Sequence, residues 1–240
     1  MINEYFDAFL DDLRVTHGKN LASVVLYGSA AAGDFVPHVS DYNIMIALHK
    51  IGPVDLRNAH ACIREWSKLG HPVPVYFTVS ELQNAADVFP IEFHQMTEAH
   101  KVLLGPDVLA GLKISDKFLR LQTEYELRSK LTLLRRHYIP ASASVDGLKH
   151  LMGESLSSFA ALFRAVLILH GVAPPLKKHE IVALTAQQLG IEGKPFEKIF
   201  NIRENNFAEV LDEKSANALF GIYLEQIEHV IHAVDAVGKS

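Results

Sequence analysis

The chain reads as an α/β (α+β) segment followed by an all-helical one. Two observations predict this. Apolar strand-like runs alternate with amphipathic helical runs up to about residue 80, and beyond Ser80 strand signals stop while helical periodicity continues to the end. The boundary is expected near residue 112. Residues 1–112 then form a small mixed-sheet domain, and 113–240 a helical bundle.

Tyr5, Phe6, Phe9, Leu10 and Leu13 share one helical face ahead of the first strand. Ala22 to Tyr27, rich in Val, is the first strand, and Asp41 to Leu48 the second. Val54 to Leu69 repeats Leu56, Ala59, Ile63, Trp66 and Leu69 at helical spacing. His71 to Thr78 alternates Val73, Val75 and Phe77 and holds two prolines, which predicts a third strand irregular at its start. One long helix follows from Ser115 to Ile139, then a loop over 140–144. A helix from Val145 to His170 stops at Gly171 and Pro174-Pro175. Shorter helices are expected at His179–Leu189 and Pro195–Ile202, and the last carries Ala216, Leu219, Phe220, Tyr223, Leu224, Ile227, Val230, Ile231 and Val234.

Bulk properties narrow the function classes. The 240 residues are 49% apolar and 21% charged, enough for a sizeable core. A net charge of −5 argues against a dedicated nucleic-acid binder. Cys62 is the single cysteine, which points to a reducing compartment. The N-terminus lacks the basic and apolar regions of a signal peptide. Phe159 to Leu169 is too short to cross a bilayer, carries Arg164 and reads as a core helix, so no membrane partner is expected. A cytoplasmic protein is the expectation.

The most informative stretch joins Leu26-Tyr27-Gly28-Ser29 to Asp41-Tyr42-Asn43 on the next strand. Alternation puts positions 41 and 43 on one face. A Gly-Ser turn can present backbone N–H groups and a hydroxyl to a phosphate. The plainer reading is a turn, a cap and a polar strand residue.

These residues resemble the nucleotidyltransferases of the DNA polymerase β type. That signature is Gly-Ser, often Arg-Gly, then Ser-Asp-x-Asp, with a third carboxylate on a later strand. Gly28-Ser29, Gly33 and Ser40-Asp41 match it, over about 25 residues with weaker support to about residue 80. The helical half is similar to that of aminoglycoside nucleotidyltransferases, and to minimal nucleotidyltransferases paired with HEPN helical domains. The resemblance implies a nucleoside triphosphate bound with Mg²⁺ in an interdomain cleft. Gly28, Ser29 and Ser40 would meet the phosphates, and Asp41 and Asn43 would hold the metal and carry the chemistry. Arg135 and Arg136 would reach the triphosphate from the second domain, although cations there also suit a helix C-terminus. The reaction implied is nucleotidyl transfer to a hydroxyl of a small molecule or a protein side chain.

Three departures matter. Ala32 stands where the Arg often lies, Asn43 replaces the second Asp, and Val75-Tyr76-Phe77-Thr78 holds no acid. Glu81, Asp87 and Glu92 are the nearest acids beyond that strand. Mg²⁺ prefers charged oxygen ligands, and two such ions need more than Asp41. A second expectation therefore stands beside the first: a non-catalytic relative acting as a binding or regulatory module, with a protein partner or a homodimer through the last helix. Two further patterns read mainly as structure. His229 and His232, near Glu225 and Glu228, fall on a solvated helix face rather than a metal site. Arg164 and His170 carry a faint similarity to the spacing of HEPN ribonucleases.

Overall fold

A strand covered on both sides must be apolar on both faces, and the two central strands are. β1 (Leu21–Tyr27) and β2 (Asn43–Leu48) are buried along almost their whole length. Even-numbered Val24, Leu26, Ile44, Ile46 and Leu48 pack with Phe6, Phe9, Leu10, Leu13 and Trp66. On the opposite face Val25, Met45 and Ala47 pack with Leu82, Phe93, Met96 and Leu109.

The computed structural model describes residues 2–32, 41–175, 177–204 and 211–238, with the backbone alone for residues 2–5, 29 and 32. It divides into two compact units, 1–115 and 116–240.

In the first unit α1 (Ile2–His17) leads into β1, and α2 (Ser29–Ala32) follows it. After β2 come α3 (Pro53–Asn58), α4 (His60–Lys68), β3 (Val75–Thr78), α5 (Val79–Asn84), α6 (Pro90–Glu98) and β4 (His100–Leu104). The sheet order is β3-β2-β1-β4. β1 is antiparallel to β2 and β4, whereas β2 and β3 are parallel, so the sheet is mixed as expected.

Three expectations are corrected here. The second strand begins at Asn43, not Asp41, leaving Asp41-Tyr42 outside the ladder. The helix expected over 54–69 is divided at Ala59, which nevertheless keeps helical dihedrals (φ −71°, ψ −13°). Strands do not end at Ser80: β4 pairs along β1 with Tyr27 opposite His100. It is a short edge strand placed directly after a helix, too brief to show a period of its own.

The helical unit holds α7 (Asp116–Ala141), α8 (Val145–Leu169), α9 (Lys178–Leu189), α10 (Lys194–Arg203) and α11 (Glu213–Ala236). α7 runs past Pro140, which the sequence assigns to a loop; a proline in the last turn removes only a terminal bond. Ser144 then caps α8 by accepting from the Gly147 amide at 3.0 Å. At 25 residues, α8 is long and apolar enough by composition to cross a membrane, unlike its expected 11-residue apolar core, 159–169. Its apolar side is the centre of the bundle, with Leu148, Met152, Leu156, Phe159, Phe163 and Val166 all buried. Tyr223 of α11 is fully buried, and its hydroxyl lies 3.0 Å from Ser155 of α8.

One buried polar pair makes stability depend on pH. His17 is 7% exposed and its Nε2 lies 3.5 Å from the Tyr76 hydroxyl. Burial holds the imidazole below its ordinary value, and Asp55 offsets this only in part. The folded form therefore resists a proton that the unfolded chain accepts at about pH 6.5. This contribution is complete above that pH and is lost as pH falls toward the depressed folded value. Urea midpoints are expected to drop from pH 7.5 to pH 5.5, two values set about one unit either side of the ordinary one. His71 acts in the same sense, so the contrast that isolates His17 is a shallower slope in His17→Gln. An unchanged slope would exclude the assignment.

Candidate functional site

Gly28 ends β1 with φ +79°, a conformation that side-chain-bearing residues rarely adopt. Its N–H donates to the Ala99 carbonyl at 3.0 Å, and its carbonyl accepts from Ala31 at 3.0 Å. This corrects one part of the phosphate cradle: the Gly28 amide is already spent on the strand leading into β4. The amides free of intrahelical bonds at the start of α2, those of Ser29 and Ala30, remain for an anion.

Asn43 stands opposite Tyr27 in the ladder and packs close to the turn. Its Nδ2 would be 3.5 Å from a Cβ placed on Gly28. Asn43 shares the Met45 face of β2, while Tyr42 packs on the other side against Phe6, ring centroids 5.1 Å apart. Asp41 is exposed, two residues before the strand. The structure thus brings Gly28 and Asn43 together, with Asp41 two residues before Asn43 in the chain. Ser40 and Gly33 lie outside the described residues, as does the side chain of Ser29.

The third-carboxylate position is apolar. β3 runs beside β2 with Val75 next to Met45, and no acid occurs in the strand. Glu81 is engaged locally: its carboxylate accepts from the Thr78 N–H at 2.6 Å while Thr78 Oγ1 accepts from the Glu81 N–H at 3.1 Å. That capping box starts α5. Asp87 and Glu92 are exposed beyond it. Among the described residues no three His, Cys, Asp or Glu side chains come together as a metal cluster. One carboxylate and one amide do not fit a pair of Mg²⁺ ions, which need several charged oxygens.

β4 adds a pair that no motif announces. His100 Nε2 lies 3.0 Å from Asp107 Oδ2, and this contact holds the Asp107 carboxyl below the usual carboxylate range. Asp107 also accepts from the Leu109 and Ala110 amides. Since His100 faces Tyr27 across the ladder, the row Asn43, Tyr27, His100 closes this end of the sheet.

In the helical unit, Arg135 pairs with Glu228 at 2.6 Å and Arg136 is exposed. Arg164 donates to the Pro175 carbonyl at 2.6 Å, and His170 Nδ1 lies 2.8 Å from the Val166 carbonyl. Those bonds tie helix to loop and ring to helix, which is a structural use of both side chains. His229 and His232 are exposed on α11.

No family model matches the chain, and no curated protein sequence matches it. Among solved structures, it is similar to the spectinomycin adenyltransferase AAD(9) from Enterococcus faecialis, whose structure was determined with ATP and spectinomycin. The likeness has a TM-score of 0.56 at 15% identity and covers 97% of this chain and 98% of that one. The chain therefore shares the fold of that structure over nearly its whole length.

Proposed function

We propose that the chain binds a nucleoside triphosphate at the Gly28 end of its sheet and transfers a nucleotidyl group to a hydroxyl acceptor. The observation that carries this reading is the left-handed Gly28 turn packed against Asn43, with Asp41 two residues upstream, in a chain of this fold. In such a transfer the acceptor oxygen bonds to the α-phosphorus, the bond to the β-phosphate breaks, and pyrophosphate leaves. The amides of Ser29 and Ala30 would meet phosphate oxygens, and the Asn43 side chain would fix the turn or a sugar hydroxyl. A divalent cation would arrive on the triphosphate, with Asp41 as its one protein carboxylate. The neighbour's ATP supports a nucleotide ligand; its spectinomycin is the model for a small hydroxylated acceptor. Cys62, buried and unpaired, accords with a cytoplasmic setting.

A second reading, a non-catalytic binding or regulatory module with a protein partner, is favoured by one observation: with Val75 on β3 and Glu81 capped, Asp41 has no second carboxylate beside it among the described residues. Calorimetry with the four ribonucleoside triphosphates, with Mg²⁺ and without, tests binding. Incubation with α-labelled triphosphate and hydroxylated acceptors tests transfer. Binding with label transfer is the expected result. Binding without transfer selects the module, and no binding of any triphosphate removes the enzyme reading. Asn43→Asp supplies one more carboxylate and is expected to raise Mg²⁺-dependent nucleotide affinity at least about tenfold, the lower end of one charge-assisted contact. An unchanged affinity would take Asn43 out of the site.

A further inference from the structure

Neighbouring helices of a bundle fill the space between them with interlocking side chains. At one place α7 and α8 leave it open. Ser155 and Ser158 of α8 share with Leu134 and His137 of α7 a cavity of about 230 Å³. Serine carries a single heavy atom beyond Cβ, so two of them at a helix seam leave a space that leucines would fill. The lining includes Leu134 and Phe159, 2% and 1% exposed, which form an apolar floor. Ser155 is engaged within the bundle: its Oγ donates to the Met152 carbonyl at 3.1 Å and lies 3.0 Å from the Tyr223 hydroxyl. Lys130 and Glu154 also line the cavity, and the two charges differ in state. Glu154 is offset by Arg203, whose guanidinium lies 3.6 Å from the carboxylate. The Arg203 stem passes over Gly153, where a Cβ would come 3.4 Å from Arg203 Cβ and Cγ. Lys130 is half-buried, and among the described residues it has no hydrogen bond or ion pair. The cavity therefore holds one uncompensated positive charge beside an apolar floor, and an ammonium partly withdrawn from water is stabilised by an anion.

We propose that this cavity of the helical unit binds a small monocarboxylate with an apolar body. The carboxylate meets the Lys130 ammonium and the Ser158 hydroxyl, and the body covers Leu134 and Phe159. The sign of the ligand follows from the two charges: a carboxylate completes the pair that Lys130 lacks, whereas an amine meets like charge at Lys130 and, at Glu154, an acid that Arg203 already offsets. The size follows from the volume. Sites for drug-sized ligands measure roughly 300–1,000 Å³, so this smaller one suits an aryl or alkyl acid of about ten non-hydrogen atoms.

Three probes of one shape and different charge test this on the full chain: 3-phenylpropanoate, 3-phenylpropan-1-ol and 3-phenylpropylammonium. Calorimetry is expected to show one carboxylate bound per chain with a Kd of about 1 mM or tighter. It should bind at least about tenfold more tightly than the alcohol, the margin of one charge-assisted contact, and the ammonium should bind least. Lys130→Met should erase that margin while leaving the affinity for the alcohol in place. Ser158→Trp, at an exposed position of the lining, should block carboxylate and alcohol alike. Binding to the wild type should also move the His137 ring signals in NMR, assigned by their loss in His137→Gln. A carboxylate bound no better than the alcohol, or held as tightly by Lys130→Met, would overturn the proposal. So would carboxylate binding that leaves His137 unmoved, since the ligand would then lie elsewhere. Should Ser158→Trp not fold, the three probes on the wild type and Lys130→Met still decide. Triphosphate binding is read separately, and neither result alters the other.

Discussion

Gly105→Ala is expected to cost the first unit about 4 kcal/mol, a loss on the scale that single substitutions reach only through backbone clash or core disruption. Gly105 follows β4 with φ +78°, and a Cβ there would lie 2.1 Å from the Ala22 carbonyl oxygen and 3.1 Å from Ser23 Cα. Both neighbours are backbone atoms of β1, which is buried on both faces and cannot retreat. The Ser23 hydroxyl clamps the same turn, 3.1 Å from the Leu104 carbonyl and 2.8 Å from that of Pro106. Gly111→Ala supplies the control. It shares φ +78° but has no atom near its would-be Cβ, so it should lose only the left-handed backbone preference, about 1 kcal/mol. Urea unfolding of both variants measures the difference. Equal midpoint shifts would mean that β4 is not pinned to β1 as described.

That strand marks where reading the sequence stops working. β1 and β2 are legible because double burial leaves a dense apolar run, and α7, α8 and α11 because one face repeats over six or seven turns. β4 has five residues, two of them polar, and its identity comes from pairing with Tyr27 to Val24 across some 75 positions of chain. Missing it carried through to the site. The Gly28 N–H looked free for phosphate only while its acceptor, Ala99 at the threshold of β4, was unplaced. Glu81 is the opposite case. Thr78-x-x-Glu81 is a capping box that the sequence displays openly, and it removes Glu81 as a replacement metal acid without any coordinates.

Asp41→Ala is expected to abolish the cation-dependent part of nucleotide affinity while leaving the fold intact. The carboxylate is exposed and lies outside the β2 ladder, so its removal should move the urea midpoint by no more than about 0.5 kcal/mol. Among the described residues of the proposed site it is the one carboxylate available: β3 offers Val75, Asn43 is an amide, and the Glu81 carboxylate is held by the Thr78 amide. Losing one charge-assisted contact of about 1.5–3 kcal/mol weakens binding roughly 10- to 150-fold. In a site with three carboxylates the same substitution would leave two to compensate; here no described residue does, which makes the expected effect large. Calorimetric titration of triphosphate with and without divalent ion, on the wild type and on Asp41→Ala, reads both quantities. A variant whose affinity still responds to the ion would place the ion elsewhere. A variant whose affinity falls equally without the ion would make Asp41 a direct contact of the nucleotide, reaching a sugar hydroxyl rather than a metal.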